Sequence, residues 1–382
     1  MFHRTGVSIA ALALLGAGLT GVAAAEPGLT PVLPAPTGPH RVGVTAVHLV
    51  DHGRTDPWSP EGGPRDVMAS VYYPALDVRD RPVARQFTPG EAAVFARLAP
   101  ALLRHLPTSG VEWGATLTHA HVDAPAKPGR RPVVLYSPGL GDPRAINTGL
   151  AEELASRGYV VVSLDHPGET VVVELPGRPP RTFQLPGNPA VEPKLYQDVI
   201  ATRLADTGFV LDRLEALAAG DGLPANLGRS LDLSRIGMYG QGLGGTIAAE
   251  AMYEDRRVDA AVNLEGFLDY HPEQPDVPGE LMPVARHGVD RPLLLVGTEG
   301  FQNDRYRRAW SAVLAHGCVR QHVIADANHW ALTDYAAVVP QLHAAGLMTD
   351  DGLASVVGTL DPAVSVPTVR RLVVSFFDRH LR

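Results

Sequence analysis

The stretch RIGMYGQGLGGTIAAEAM, residues 235–252, decides the fold, because it joins an apolar strand to a helix through a run of glycines. RIGMYG has the composition of a buried strand, and TIAAEAMY has the composition of a helix. Between them the chain reads Gly240, Gln241, Gly242, Leu243, Gly244. This matches the tight Gly-x-Ser-x-Gly turn that exposes a nucleophilic serine, except that Gly242 stands where the serine would be.

The residues on both sides of this stretch alternate between predicted strands and helices. Strands are predicted over residues 42–51, 66–75, 132–137, 159–165, 235–240, 258–266, 292–300 and 319–329. Helices are predicted over residues 91–107, 147–157, 194–217, 246–253 and 368–381. Such alternation predicts an α/β fold, with a mostly parallel sheet and helices on both faces.

The chain begins with a segment that is typical of export. His3 and Arg4 precede an apolar run over 7–19, and Ala23-Ala24-Ala25 follows it. This order predicts a secretory signal peptide over 1–25, cleaved after about Ala25, and therefore a secreted protein; the run is short for a membrane anchor. Residues 26–40 are rich in proline and glycine and are interpreted as an extended lead-in, and 41–382 as a single domain.

The composition excludes several classes of partner. The 382 residues carry a formal net charge of −8, which argues against nucleic acid or an anionic membrane as the main partner. The single cysteine, Cys318, excludes an internal disulfide, and we expect it to be a small buried residue at the start of a strand. His119 and His121 would share one strand face, but no further metal ligand follows at a useful spacing. We therefore expect no metal, and no cofactor is implied.

Candidate functional residues lie at the carboxyl ends of the predicted strands, where such sheets gather their active groups. In SPGLGDPR the amide of Leu140 could face a developing oxyanion, and the amide of Leu243 would be the second donor. Glu265 and Glu299 each follow a strand and are alternative acids. His329 follows the last strand, which suits the order nucleophile, acid, histidine.

Four segments together resemble a known family: PTGPHRVGVTAVHLVD, VVLYSPGLG, GMYGQGLGG and ANHWALTDYA. They are similar to the secreted bacterial branch of the platelet-activating-factor acetylhydrolase family, which has the α/β-hydrolase fold and is close to lipases and cutinase-like polyesterases. The resemblance implies that Gly242 stands at the nucleophile position, Glu265 at the position of an acid that is usually aspartate, and His329 at the histidine. It also implies that Leu140 and Leu243 supply the oxyanion amides.

A glycine cannot form an acyl-enzyme, so the serine mechanism of the family is excluded for this sequence. One interpretation is that His329, oriented by Glu265, acts as a general base on water or on a substrate hydroxyl, giving hydrolysis, cyclisation, transfer or elimination. The alternatives are a non-catalytic protein that binds a lipid or ester, and an inactivated variant of a serine esterase. The expected partner is a small ester or lipid-like molecule, with no stable membrane insertion. The oligomeric state stays open.

Overall fold

A computed structural model describes residues 28–103, 105–219, 222–272 and 277–382. The expected signal peptide at 1–25 lies outside the described residues. Residues 28–40 of the expected lead-in contain no helix, and Leu29 forms a β-bridge with Val111. Among the described helices, none combines the length and the apolar character needed to cross a membrane.

The centre of the fold is one sheet of ten strands in the order β10-β9-β8-β7-β5-β6-β2-β1-β4-β3. The six strands from β5 to β10 pair in parallel, whereas β2 pairs antiparallel with both β1 and β6. The mostly parallel sheet predicted from the sequence is therefore confirmed. The strands are β1 (Val42–Thr55), β2 (Pro64–Pro74), β3 (Val83–Arg85), β4 (Leu117–Val122), β5 (Arg131–Ser137), β6 (Val160–Asp165), β7 (Leu231–Gln241), β8 (Val258–Leu264), β9 (Leu293–Thr298) and β10 (Val319–Ile324).

Helices cover both faces of this sheet, which is why its central strands are apolar without interruption. On β5, Val134 and Tyr136 pack into one core, and Val133 and Leu135 pack into the core on the other face. The helices are α1 (Pro89–Leu102), α2 (Thr148–Ser156), α3 (Pro193–Ala219), α4 (Leu227–Ser230), α5 (Leu243–Glu254), α6 (Pro283–His287), α7 (Asp304–Leu314), α8 (Tyr335–Ala344), α9 (Asp350–Val357) and α10 (Pro362–His380).

The structure departs from the sequence expectations at several positions, among them the end of the first helix and Cys318. The helix expected over 91–107 ends at Leu102, because Leu103 adopts extended backbone; Leu103 and Leu106 are then buried from a turn, which apolar spacing alone cannot distinguish from a helix. Cys318 was expected to be buried and is exposed. It precedes β10, which lies at the edge of the sheet and exposes its four central residues.

Candidate active site

Gly242 lies at the apex of the turn between β7 and α5, with φ 55° and ψ −125°. This left-handed conformation is strained for residues with a side chain, and glycine adopts it freely. The turn is also packed tightly against β5: a Cβ on Gly244 would stand 1.9 Å from the carbonyl oxygen of Ser137. The glycines that the sequence placed in this turn therefore satisfy both a dihedral and a space requirement.

His329 faces this apex from the turn that follows β10. A Cβ on Gly242 would stand 3.2 Å from Nε2 of His329, and the opposite ring nitrogen, Nδ1, lies 2.8 Å from Oε2 of Glu265. The side chain of Asn328 accepts a hydrogen bond from the backbone amide of His329 at 2.8 Å, which fixes the start of the turn. The structure thus brings together Gly242, His329 and Glu265, which are far apart in sequence.

The Glu265 carboxylate is held rigidly behind the ring. The residue follows β8 with a φ of 62°, a backbone conformation that costs free energy for a residue with a side chain. Thr298 donates from both its backbone amide and its hydroxyl to this carboxylate, with the hydroxyl 2.7 Å from Oε1. The alternative acid, Glu299, is exposed and accepts instead from the amide of Asp326 at 3.1 Å. Of the two candidate acids, only Glu265 contacts His329.

The loop after β5 carries the first expected oxyanion donor. The buried guanidinium of Arg203 donates to the carbonyl of Pro138 at 2.5 Å and to that of Gly139 at 3.4 Å, which turns both carbonyls away from the site. In the described part of the chain, the amide of Leu140 donates to no backbone acceptor. The amide of Leu243, in the first turn of α5, has no acceptor within its helix. Both leucines line the same cavity.

This cavity has a volume of about 270 Å³ and contains the site. Phe301 stacks on the His329 ring with centroids 4.2 Å apart, and the Trp330 ring meets it edge-on at 5.1 Å. The wall is therefore aromatic on the histidine side, which suits a ligand with flat or apolar parts. The other lining residues include Leu140, Asp142, Tyr196, Gln241, Leu243, Thr246, Phe267 and His271.

Comparisons with known proteins find relatives among acetylhydrolases and esterases. The model for platelet-activating factor acetylhydrolase, isoform II, matches residues 30–174. A probable 1-alkyl-2-acetylglycerophosphocholine esterase of Arthroderma benhamiae is 28% identical over 91% of this chain and 87% of its own length. The platelet-activating factor acetylhydrolase of Cavia porcellus is 24% identical over 50% of this chain and 45% of its own. A solved ferulic acid esterase from Streptomyces cinnamoneus is 32% identical, with a TM-score of 0.74 over 92% of this chain and 93% of its own.

The chain belongs to the platelet-activating factor acetylhydrolase-like family of α/β-hydrolases. The expected α/β-hydrolase fold is thereby confirmed, and so is an esterase-like hydrolase lineage. The family model matches the segment that contains Leu140, but it ends before the turn at Gly242.

Two side chains of this acetylhydrolase-like site were given no role from the sequence. The buried amide of Gln241 places its Nε2 atom 2.6 Å from Nε2 of His329. Asp142 lines the same cavity, and burial raises the pKa of its carboxyl to about 7, against the opposing effects of His329 and Arg203. Sequence reasoning treated Gln241 only as a residue of the turn and passed over Asp142. In a glycine-rich turn, the local sequence does not indicate the direction in which an acidic or amide side chain points.

A buried serine–histidine–aspartate arrangement exists behind the site, separate from Gly242, His329 and Glu265. Ser137 Oγ lies 3.0 Å from Nε2 of His166, and His166 Nδ1 lies 2.9 Å from Asp206. All three residues are fully buried, and burial also lowers the pKa of His166. A substrate cannot reach this serine, so the arrangement is structural.

The two histidines considered for metal binding lie on β4, far along the sheet from the turn at Gly242. His119 contacts Glu152, with Nδ1 3.3 Å from Oε2, and Nδ1 of His121 lies 2.9 Å from the carbonyl oxygen of Arg81. The two side chains therefore have separate partners.

Proposed function

We propose that this protein acts on a carboxylic ester without a covalent intermediate, with His329 as general base and Glu265 as the group that orients it. The observation that carries the proposal is the position of His329 Nε2, 3.2 Å from the point where a side chain on Gly242 would begin. Gly242 offers no hydroxyl, so the volume beside it is left for a water molecule or a substrate hydroxyl.

The proposed reaction begins with a neutral His329 ring that donates Nδ1–H to Glu265. Its Nε2 atom takes a proton from water, which attacks the ester carbonyl, and the alkoxide leaves as an alcohol after receiving that proton. The amides of Leu140 and Leu243 would stabilise the developing oxyanion. A substrate hydroxyl in place of water would give transfer or cyclisation through the same groups.

The expected substrate is an ester with an apolar or aromatic part. Support comes from the aromatic wall formed by Phe301 and Trp330, and from the ester-cleaving activities named for the relatives. A cavity of about 270 Å³ suits a short acyl or aryl group better than a long lipid chain. The segment before Ala25 supports secretion as part of the proposal.

A second candidate is a protein that binds an ester or lipid without cleaving it. The contact between Gln241 and His329 favours this candidate, because the amide occupies the nitrogen that a catalytic base must keep free. In the hydrolytic proposal, Gln241 must yield to the incoming water or substrate. An inactivated variant of a serine esterase is the third candidate, supported by Gly242 alone.

The hydrolytic proposal is tested with the wild type and His329→Ala on p-nitrophenyl esters of short, medium and aromatic acids. We expect slow hydrolysis by the wild type, without an initial burst because no acyl-enzyme accumulates, and loss of this activity in His329→Ala. If both proteins are inert, ligand binding is followed through the fluorescence of the tryptophans, one of which, Trp330, lines the cavity. Saturable quenching without turnover would favour the binding candidate.

A further inference from the structure

In the side-chain amide of Gln241, the nitrogen has a hydrogen-bond partner but the oxygen has none among the described residues. The amide is fully buried, and its nitrogen contacts Nε2 of His329 at 2.6 Å. In the described part of the chain, its oxygen Oε1 has no hydrogen-bond partner. Leaving a buried amide oxygen without a hydrogen-bond donor is unfavourable, so a group that can donate to it is expected nearby.

Asp142 is the titratable group that shares the space around this oxygen. The point where a Cβ on Gly139 would stand lies 2.6 Å from Gln241 Oε1 and 2.7 Å from Asp142 Oδ2. Both residues also line the cavity that contains His329. Two oxygens that border one small volume repel each other, unless a proton or a bridging water lies between them.

We propose that Gln241 links Asp142 to His329 as a pair that shares one proton, so that Asp142 and Gln241 are positioning residues for the histidine. Gln241 takes the place against Nε2 that the hydroxyl of a nucleophile would hold. The raised pKa of Asp142, about 7, is consistent with a carboxyl that keeps its proton in the folded protein.

The pair has two forms with equal numbers of protons. In the first form, protonated Asp142 donates to Gln241 Oε1, directly or across one water, and Gln241 Nε2–H donates to the neutral ring of His329. In the second form, the amide is turned by half a rotation: His329 Nε2–H donates to Gln241 Oε1, and the amide nitrogen donates to the ionised Asp142. One proton has moved from Asp142 to His329, through the solvent of the cavity.

Other charged and titratable groups lie near this pair and influence the equilibrium between its two forms. Arg203 lies behind the loop of Asp142 and favours the ionised carboxyl. Glu265 contacts the other ring nitrogen, with Oε2 2.8 Å from Nδ1. The buried phenols of Tyr136 and Tyr335 also face Asp142. A carboxylate oxygen of Asp142 borders the same small volume as Gln241 Oε1, so Asp142 is the group placed to control that oxygen.

The consequence for catalysis rests on the proposed function, whereas the shared proton can be tested without any substrate. In the first form His329 is neutral and can accept a proton once Gln241 yields its place at Nε2, and in the second form it cannot. The state of Asp142 would therefore decide which fraction of the protein is ready to act as a base, and the two groups would titrate in two steps that belong to the pair.

The test is an NMR titration of the imidazole nitrogens of His329 across the range around pH 7. In the wild type we expect the signals to respond in two steps. Asp142→Asn keeps a donor for Gln241 Oε1 but cannot titrate, so its His329 signals should respond in one step. Gln241→Met keeps the length of the side chain but removes both hydrogen bonds, so the step due to Asp142 should disappear from the His329 signals.

Glu250→Gln is the matched control. Burial raises the pKa of Glu250 to about 7 as well, but this residue accepts from the amide of Val284 at 3.1 Å and does not line the cavity. The control should retain both steps at His329, which would assign the missing step to Asp142 rather than to the loss of any buried carboxyl.

Each outcome decides the proposal. Identical His329 titrations in the wild type and Asp142→Asn would overturn it, as would a full second step in Gln241→Met, because coupling would then pass through space and not through the amide. A shared proton in a protein that cleaves no ester would leave this inference standing and remove the proposed function. If the protein cleaves esters but Asp142 and His329 titrate independently, the proposed function stands and the shared proton is ruled out.

Discussion

Gly242 lies directly beneath Nε2 of His329, so close that a Cβ on the glycine would begin 3.2 Å from that nitrogen. Serine and cysteine hydrolases in general use such a short distance to pass a proton between nucleophile and base. Here the distance is retained although the side chain is absent.

Gly242→Ser should install or strongly raise esterase activity. The new hydroxyl would lie beside His329 Nε2, and the covalent step it restores is worth several orders of magnitude in rate. The positive φ of 55° is strained for serine, so the free energy of unfolding should fall by roughly 1–3 kcal/mol. The activity is measured by p-nitrophenyl ester hydrolysis, and the free energy of unfolding is measured by urea unfolding.

Gly242→Ala is the control for this substitution, because it adds the same backbone strain without the hydroxyl. It should lose similar stability and gain no activity. Equal activities in the serine and alanine variants, both folded, would show that the site has diverged beyond its nucleophile.

In the Gly242→Ser background, Glu265→Gln should lower kcat by roughly 10³–10⁴-fold, the size of effect seen when a triad carboxylate becomes an amide. The physical reason is that an amide no longer stabilises a charged ring at Nδ1, which lies 2.8 Å from Oε2. Steady-state kinetics on one ester provide the measurement. Glu299→Gln is the matched control and should leave kcat unchanged; a comparable loss there would reassign the acid.

Gln241→Met, added to Gly242→Ser, should raise activity further. The amide of Gln241 competes with the new hydroxyl for Nε2, from which it is 2.6 Å distant. Removing a hydrogen bond worth about 1 kcal/mol should increase the rate roughly fivefold. The comparison is made between single and double variants at one pH. A lower rate in the double variant would mean that Gln241 supports the geometry of His329 rather than competing for it.

Glu250→Gln should remove part of the dependence of stability on pH. Burial raises the pKa of Glu250 to about 7, so the folded protein holds a proton that the unfolded chain releases near pH 4.3. Stability from this group is therefore complete below about pH 4 and is lost as the pH rises to about 7. The variant should exceed the wild type by on the order of 2 kcal/mol at pH 8, and the difference should shrink toward pH 5.

Urea unfolding between pH 5 and pH 8 measures this difference. Asp304→Asn serves as the control, because that carboxylate is 98% exposed and should show no trend. A difference between wild type and Glu250→Gln that is constant across the range would contradict the expected titration.

The parts of the site that were predictable from sequence are those governed by local rules. The turn at Gly242 was readable because a tight strand-to-helix turn demands glycines at fixed spacing, and the strands were readable because both faces are buried. The order of Gly242, Glu265 and His329 along the chain gave candidate partners, since parallel strands end at one edge of the sheet. That order left Glu265 and Glu299 open, because both follow a strand.

What the sequence determined by itself is therefore the fold class, the family resemblance and the absence of a serine at Gly242. The order along the chain left two acids open and the resemblance favoured Glu265, but only the tertiary structure shows that this acid contacts His329 and that Thr298 holds its carboxylate in place. Only the tertiary structure shows that Gln241 contacts His329 and that Asp142 lines the same cavity. Side-chain direction in a glycine-rich turn depends on the elements packed around it, and these come from distant parts of the chain, so no local pattern encodes it.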